Sequence, residues 1–272
     1  MKIISWNINS LRLRLPLLAE LVKKTNPHII CLQETKVVDA DFPLQAVQAL
    51  GFEHVEFSGE KSYNGVAILS KLPLRKLGAI DICNYGHKRH LSVAIKTKVG
   101  EVDLHNFYVP AGGDIADVAL NDKFAHKLKF VDWMTEFFAA QKKSSPENSA
   151  PKIIIVGDFN IAPLPHDVWS HKQLLKVVSH TPIEVEKLTK MQASLDFIDT
   201  HRHFVDESQK LYSWWSYRAP KPLESNKGRR LDHIWATPNL KLHIKAMEIH
   251  QDFRVATQPS DHVPIATEFD LL

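Results

Sequence analysis

The stretch PKIIIVGDFN, residues 151–160, decides the fold. Its residues 153–156 are apolar on both faces of an extended chain, a pattern typical of a strand buried between two layers. Gly157 lets the chain bend after this strand, and Asp158 and Asn160, two residues apart, then point to the same side. The stretch therefore predicts a buried strand that ends in a pair of polar side chains.

Further strand-like and helical segments alternate on both sides of this stretch. Apolar strands are predicted at KIISWNI (2–8) and HIICLQE (28–34), and the longest helix is predicted at residues 123–143. A polar, linker-like segment, KKSSPENSAP (142–151), follows that helix, but no repeat or Gly/Ser hinge divides the chain. The pattern predicts an α/β fold with two mixed sheets packed face to face and helices outside, as one domain over residues 1–272.

Composition excludes several classes of protein. With 44% hydrophobic and 24% charged residues among 272, the chain is neither disordered nor collagen-like. It has no run of about 18 apolar residues and no secretory signal at its start, and two cysteines make no disulfide framework. A cytoplasmic protein without membrane association is the expectation.

Positive charge is concentrated in two stretches, although the formal net charge is only +3. Residues 71–98 carry seven basic side chains against Asp81, and residues 218–230 carry five against Glu224. Such a stretch can be an ordinary solvated surface, or it can contact the phosphates of a nucleic acid.

Polar side chains also stand at the ends of other apolar strands. Each one alone has a common structural explanation, such as a turn cap or, for Glu34, a salt bridge to Lys36 or Arg12. Together they form an oxygen-rich set without zinc-type Cys/His spacing, which predicts a hard cation, Mg²⁺ or Mn²⁺. The set comprises Asn7, Glu34, Asp158, Asn160, Asp232, Asp261 and His262.

Seven motifs occur in a fixed order and carry a family resemblance. They are WNINSLR (6–12), LQETK (32–36), YNGVAILSK (63–71), NFYVPAGGD (106–114), GDFNIAP (157–163), GRRLDHIWA (228–236) and SDHVP (260–264). With them the chain resembles the exonuclease III family of abasic-site (AP) endonucleases, within the endonuclease/exonuclease/phosphatase superfamily. The resemblance implies a four-layered α/β sandwich and a divalent-metal phosphodiesterase that acts on DNA.

The resemblance also implies roles for individual residues. Glu34 would be the main metal ligand with Asn7 nearby, Asp261 would contribute directly or through water, and Asp158 and Asn160 would complete the metal set. Asp158 would orient or deprotonate the attacking water, with Asn160 holding it, and Tyr108 would donate a hydrogen bond to the transition state. Asp232 and His262 would form a dyad at the scissile phosphate, and His262 is an alternative general base. The implied DNA contacts are Lys36, Asn64, Trp214, Arg218, Arg230 and Leu231, with Trp214 and Leu231 walling a pocket for a base-free sugar.

Three positions depart from patterns seen in relatives. Asn9 stands where certain members carry a carboxylate, and Ala111 replaces a side-chain amide. Arg229 stands where some members place a large apolar residue beside the abasic sugar. These departures leave open whether one or two metal ions act, and what shape the sugar pocket has.

The predicted function is Mg²⁺-dependent incision of double-stranded DNA 5′ of abasic sites, with 3′→5′ exonuclease activity and removal of 3′ blocking groups. The enzyme is expected to be monomeric and associated with the nucleoid through its DNA. Two rivals are another superfamily enzyme, such as an inositol phosphatase, a sphingomyelinase or a secreted nuclease, and a DNA-binding module with an inactive site. Loss of Glu34, Asp158 or His262 would favour the inactive module, and all three are present.

Overall fold

The computed structural model describes residues 1–144, 150–218 and 222–272. Residues 145–149 of the linker-like segment, and residues 219–221 of the second basic stretch, lie outside the described residues. In the described part, no helix combines the length and the apolar character that crossing a membrane requires.

Strands and helices alternate from the first residues onward. The strands are β1 Lys2–Asn7, β2 Ile29–Gln33, β3 His54–Ser58, β4 Val66–Ser70, β5 Leu74–Gly78, β6 His90–Thr97, β7 Gly100–Tyr108, β8 Ile153–Asp158, β9 Ile198–Asp199, β10 Trp214–Trp215, β11 Gly228–Arg229, β12 Asp232–Ala236, β13 Ile244–Ile249 and β14 Ile265–Phe269. The helices are α1 Leu15–Thr25, α2 Leu44–Gln48, α3 Asp122–Ser144, α4 His171–Leu174, α5 Pro182–Ser194 and α6 Pro222–Ser225.

Two six-stranded mixed sheets form the centre of the protein. The first has the order β13-β14-β1-β2-β4-β3 and the second the order β5-β6-β7-β8-β12-β9. Strands β1 and β2 are parallel, as are β7 and β8, whereas their other neighbours are antiparallel. A separate two-stranded ribbon pairs β10 with β11.

The four layers follow from which side chains each sheet buries. Successive side chains of a strand face opposite sides of its sheet, so a central strand needs apolar residues at every position. In β1, Ile3 belongs to the core between the sheets, and Ile4 to the core between the first sheet and α1. In β8, Val156 faces the other sheet, and Ile155 packs in the core that α3 and α5 cover. The predicted four-layered α/β sandwich is confirmed, whereas its organisation as one domain over residues 1–272 stays a prediction.

This topology brings distant strand ends together. The parallel strands β7 and β8 end side by side at Tyr108 and Asp158, and β12 begins opposite, with Asp232 paired to Asp158. In the other sheet, β1 ends at Asn7 and the parallel strand β2 ends one residue before Glu34. The polar ends of both sheets therefore lie at one edge of the sandwich.

Candidate active site

A cavity of about 670 Å³ opens at this edge. Its wall contains carboxylates, an amide and an imidazole that come from four separate segments of the sequence. The predicted site residues in this wall are Glu34, Tyr108, Asp158, Asn160, Trp214, Arg218, Leu231, Asp261 and His262. Asn7 and Asp232 lie behind this wall. Asn7 is hydrogen-bonded to Asp158, and Asp232 is hydrogen-bonded to His262.

Glu34 is held by three side chains. Its Oε1 accepts hydrogen bonds from Asn7 Nδ2 at 2.8 Å and from the Tyr108 hydroxyl at 2.7 Å, and its Oε2 lies 2.8 Å from Lys36 Nζ. Burial alone would raise the pKa of Glu34, but the Lys36 charge and these hydrogen bonds outweigh it and lower that pKa. Burial and the Glu34 charge raise the pKa of Tyr108 well above its usual range, so the phenol stays a donor.

The bend after β8 positions Asp158 and Asn160. Gly157 has φ +144°, and a Cβ there would lie 1.9 Å from the carbonyl oxygen of Phe107, so only glycine allows β8 to approach β7 this closely. Asp158 Oδ2 accepts from Asn7 Nδ2 at 2.9 Å and from Asn160 Nδ2 at 3.0 Å. Burial, with Asp232 nearby and His262 opposing it, raises the pKa of Asp158 to about 7.

Asp232 and His262 form the predicted dyad. His262 Nδ1 donates to Asp232 Oδ2 at 2.8 Å, and His262 Nε2 lies 3.6 Å from Asp158 Oδ2. Burial lowers the pKa of His262, but the charges of Asp232 and Asp158 outweigh burial and raise it to about 10. The two carboxylates therefore favour the protonated form of His262, whose Nε2 lies on the side of Asp158.

Two supporting residues escaped the sequence analysis. The Ser213 hydroxyl donates to Asp232 Oδ2 at 2.6 Å and accepts from the backbone N–H groups of Leu231 and Asp232. The Arg89 guanidinium lies 4.6 Å from the centroid of the Tyr108 ring and donates to the Tyr108 carbonyl. Ser213 lies one residue before the predicted pocket residue Trp214, and this position is the one sequence signal that could have found it.

Asp261 is linked to Glu34 through the unusual Asn9. Asn9 Nδ2 donates to Asp261 Oδ1 at 3.1 Å, and Lys36 Nζ donates to Asn9 Oδ1 at 2.6 Å while it pairs with Glu34. The other oxygen of Asp261 accepts from Trp214 Nε1 at 3.0 Å. Asn9 thus bridges the carboxylate of Asp261 and the ammonium group of Lys36.

The donor chemistry of this cluster suits a divalent cation. One carboxylate oxygen of Asp158 and one of Asp232 lie within 4.8 Å of each other, and Asp232 Oδ1 is buried without a hydrogen-bond partner among the described residues. Glu34 adds a carboxylate beside Asp158 through their shared partner Asn7. Oxygen-rich sites of this kind bind hard cations, and an orphaned buried carboxylate oxygen is the kind of atom that a cation would satisfy.

Two of the predicted DNA contacts, Arg230 and Asn64, have almost no exposed surface in this structure. Arg230 is 2% exposed, and its guanidinium binds the buried carboxylates of Asp167 and Asp199, so it has no surface to offer a phosphate. Asn64 is 1% exposed, and its amide donates to Glu60. Both side chains stabilise the folded structure through hydrogen bonds to carboxylates.

The other four predicted contacts have different degrees of access to the cavity. Arg218 is exposed at its rim, Trp214 is half-buried in its wall, and Leu231 is almost fully buried but still lines it. Lys36 is half-buried against Glu34, which confirms the salt bridge that the sequence offered as an alternative for that carboxylate. Trp215 lies in the core, as the alternation of side chains along a strand requires.

Comparisons with known proteins agree with this geometry. Residues 4–262 match the model of the Endonuclease/Exonuclease/phosphatase family. Exodeoxyribonuclease III of Haemophilus influenzae is 32% identical over 99% of this chain and 100% of its own length. A 3′ phosphatase from Neisseria, solved bound to a product DNA hairpin, superposes with a TM-score of 0.88 at 29% identity, with 99% of each chain covered. An AP endonuclease from Archaeoglobus fulgidus superposes with a TM-score of 0.86 at 31% identity, also with 99% of each chain covered.

The chain belongs to the endonuclease/exonuclease/phosphatase family. Within it, the chain is an enzyme of the group that includes exodeoxyribonuclease III and the AP endonucleases, which confirms the resemblance carried by the seven motifs.

Proposed function

We propose that this enzyme is a DNA repair phosphodiesterase that incises duplex DNA 5′ of abasic sites and also clears blocked 3′ ends, with 3′→5′ exonuclease activity. The observation that carries the proposal is that Glu34, Asp158 and His262 line one cavity, with Asp232 bound to His262 directly behind it. The names of the relatives, an exodeoxyribonuclease III, an AP endonuclease and a DNA-bound 3′ phosphatase, support the same substrate.

We propose Mg²⁺ as the cofactor, with Mn²⁺ as a substitute. Glu34 and Asp158 would hold it together with Asn7, Asn160 and Asp261, and when bound it would offset charge on the phosphoryl oxygens. Glu34 suits this task because the pKa of its carboxyl group is lowered, so that it stays ionised throughout the neutral range.

The side chains around the phosphate divide the remaining work. Asp158 accepts a proton from the attacking water, because its carboxylate lines the cavity beside His262. His262, with its pKa raised to about 10, acts as a cation that binds the phosphoryl oxygens, and Asp232 orients its ring. Between the two candidate bases of the sequence analysis, these charges favour Asp158.

Recognition of the abasic nucleotide rests on the cavity next to these groups. Extruding a nucleotide that has no base costs less than flipping an intact one, by a few kcal/mol, because nothing is unstacked or unpaired. Trp214 and Leu231 line the cavity beside His262 and Asp158, where a bare sugar would lie. A cavity too narrow for a base would add to this preference.

The direct test uses a duplex oligonucleotide that carries one tetrahydrofuran abasic analogue, with Mg²⁺ or with chelator. Incision on the 5′ side that requires the metal supports the proposal. Asp158→Asn should lower single-turnover incision by about 10²-fold or more while DNA affinity is kept, because the shape stays and the base is lost. Asp196→Asn, an exposed carboxylate paired with Lys142, is the matched control and should behave as wild type. Absence of incision by wild type, or unchanged rates for Asp158→Asn, would contradict the assignment.

Two further properties are proposed with this function. The enzyme acts as a monomer, which sedimentation at several concentrations tests. It acts in the cytoplasm on nucleoid DNA, which fractionation of cells expressing the tagged protein tests.

A further inference from the structure

Arg229 lies in the wall of the cavity beside the proposed sugar pocket. It ends β11, where it pairs with Trp214 of β10, and its guanidinium carbon lies 5.1 Å from the centroid of the Trp214 ring. Its Nη1 donates to the Val178 carbonyl at 3.0 Å and to the Ser179 hydroxyl at 2.8 Å. These contacts fix the side chain against the wall rather than letting it extend into solvent.

The charge of Arg229 is not neutralised within the described part of the chain. No carboxylate there lies within ion-pair distance of it, and its Nε is buried without a hydrogen-bond partner in the same residues. The neighbouring Arg230 shows the contrast, since it is bound by both Asp167 and Asp199. The nearest acidic influence on Arg229 comes from Glu184, whose carboxylate already binds Lys127 at 2.5 Å.

A mostly buried cation without a counterion is costly, and an anion that enters the cavity would relieve that cost. Leu231, Trp214, Val177 and Val178 add apolar surface to the same cavity wall as the guanidinium. Arg229 lies over the ring of Trp214, and Trp214 forms an isolated antiparallel bridge with His262, so the guanidinium is beside the wall assigned above to the sugar pocket.

We propose that Arg229 is a specificity-determining residue that binds an anionic group carried beyond the scissile phosphate, namely the carboxylate of a deoxyribose fragment left on a damaged 3′ end. The enzyme would then favour 3′-phosphoglycolate ends over neutral abasic sugars. This inference rests on the proposed function and concerns the same site.

The reaction needs no new chemistry. Water adds to phosphorus, the bond between phosphorus and the 3′ oxygen breaks, and the 3′ oxygen takes a proton to become a hydroxyl group. The products are a 3′-hydroxyl end and free phosphoglycolate. Arg229 binds the glycolate carboxylate during this hydrolysis and does not touch the phosphorus.

Three duplex substrates test which group the pocket binds, independently of the hydrolysis at phosphorus. A 3′-phosphate end places nothing beyond the phosphate, a tetrahydrofuran site places a neutral sugar there, and a 3′-phosphoglycolate end places a carboxylate there. We expect Arg229→Leu to lower kcat/KM on phosphoglycolate by roughly tenfold or more, mainly through KM, as for the loss of a charged hydrogen bond. Activity on the 3′-phosphate should stay unchanged, and activity on the tetrahydrofuran site should stay unchanged or rise.

Two further variants control for charge and for folding. Arg229→Lys should retain part of the phosphoglycolate activity, because it keeps the cation. Lys227→Leu removes an exposed cation from the rim of the same cavity, where it lies 4.7 Å from the Trp169 ring centroid, and should affect all three substrates equally. Thermal melting of each variant shows whether it is folded.

The outcomes distinguish this inference from the function on which it rests. Inactivity of wild type on all three substrates would overturn the proposed function. If wild type is active, equal losses for Arg229→Leu on all three, or no loss on phosphoglycolate, would overturn the inference. Equal losses on phosphoglycolate and tetrahydrofuran alone would also overturn it, because Arg229 would then bind something common to both.

Discussion

Replacing Asp232 by asparagine tests whether the dyad serves to hold a positive charge at the reacting phosphate. Asp232 is 2% exposed, and its Oδ2 accepts from His262 Nδ1 at 2.8 Å and from Ser213 at 2.6 Å. Asparagine has nearly the same shape but no charge. The variant therefore removes the largest influence that keeps His262 protonated while leaving its surroundings nearly intact.

The size of the effect follows from the pKa of His262. Burial lowers it, yet the charges of Asp232 and Asp158 outweigh burial and raise it from 6.5 to about 10, which favours the imidazolium. Because the folded-state pKa is raised, this contribution to the free energy of unfolding is fully present below pH 6.5 and is lost as the pH rises towards 10. The difference in the free energy of unfolding between wild type and Asp232→Asn should therefore be largest near pH 6.5 and become smaller at higher pH.

Two measurements check this expectation. Nitrogen-15 NMR of histidine side chains in the metal-free protein should show His262 protonated past pH 9 in wild type, and its pKa should be lower in Asp232→Asn. With metal added, single-turnover incision by the variant at pH 8 should be about 10²-fold slower than by wild type, and the ratio of variant to wild-type rates should rise towards pH 6, where the imidazolium returns.

An unchanged pKa of His262 in Asp232→Asn would refute the electrostatic reasoning. An incision rate that falls by the same factor at every pH, with the pKa lowered as expected, would show that Asp232 acts by geometry alone. His262→Gln provides the control, since it removes the titrating group and should abolish the pH-dependent recovery.

Four more predictions concern the surroundings of the site. Glu34→Gln should need a much higher Mg²⁺ concentration for half-maximal activity, and an unchanged metal titration would show that Glu34 is no ligand. Trp214→Ala should reduce incision at tetrahydrofuran more than removal of a 3′ phosphate, as the ratio of the two rates will show. Arg230→Met leaves buried carboxylates short of a partner and should lower the free energy of unfolding by about 3–5 kcal/mol in urea titrations, without changing the salt dependence of DNA binding. Arg218→Ala should weaken binding to all duplexes and make the slope of log affinity against log salt about 1 smaller.

Much of the fold could be predicted from neighbouring residues alone. The apolar run at 153–156 determines a strand buried on both faces, and it forms β8 as expected. The apolar positions in residues 123–143 determine the longest helix, which forms α3. Both predictions succeed because side-chain periodicity is a local property, set by the geometry of a helix or strand rather than by a distant partner.

The sequence also determined which residue types meet at the site, because carboxylates at the ends of apolar strands are costly unless something binds them. Only the tertiary structure decided which of these residues contact each other. Asn7 reaches Asp158 across 151 positions of the chain, and this contact depends on how the two sheets pack. The register between β8 and β12 then places Asp232 opposite Asp158.

The adjacent residues Arg229 and Arg230 show this limit most clearly. In the sequence both belong to one basic stretch, in which the family resemblance implied a DNA contact for Arg230 and a place beside the abasic sugar for Arg229. In the structure Arg230 is buried against Asp167 and Asp199, while Arg229 lies in the cavity wall beside Trp214. Consecutive residues of an extended chain face opposite sides. On its side, Arg230 meets the carboxylates of Asp199 and Asp167, which lie 31 and 63 positions away in the chain. The sequence therefore determined the charge, whereas the packing of distant segments decided whether that charge is buried in an ion pair or available to a substrate.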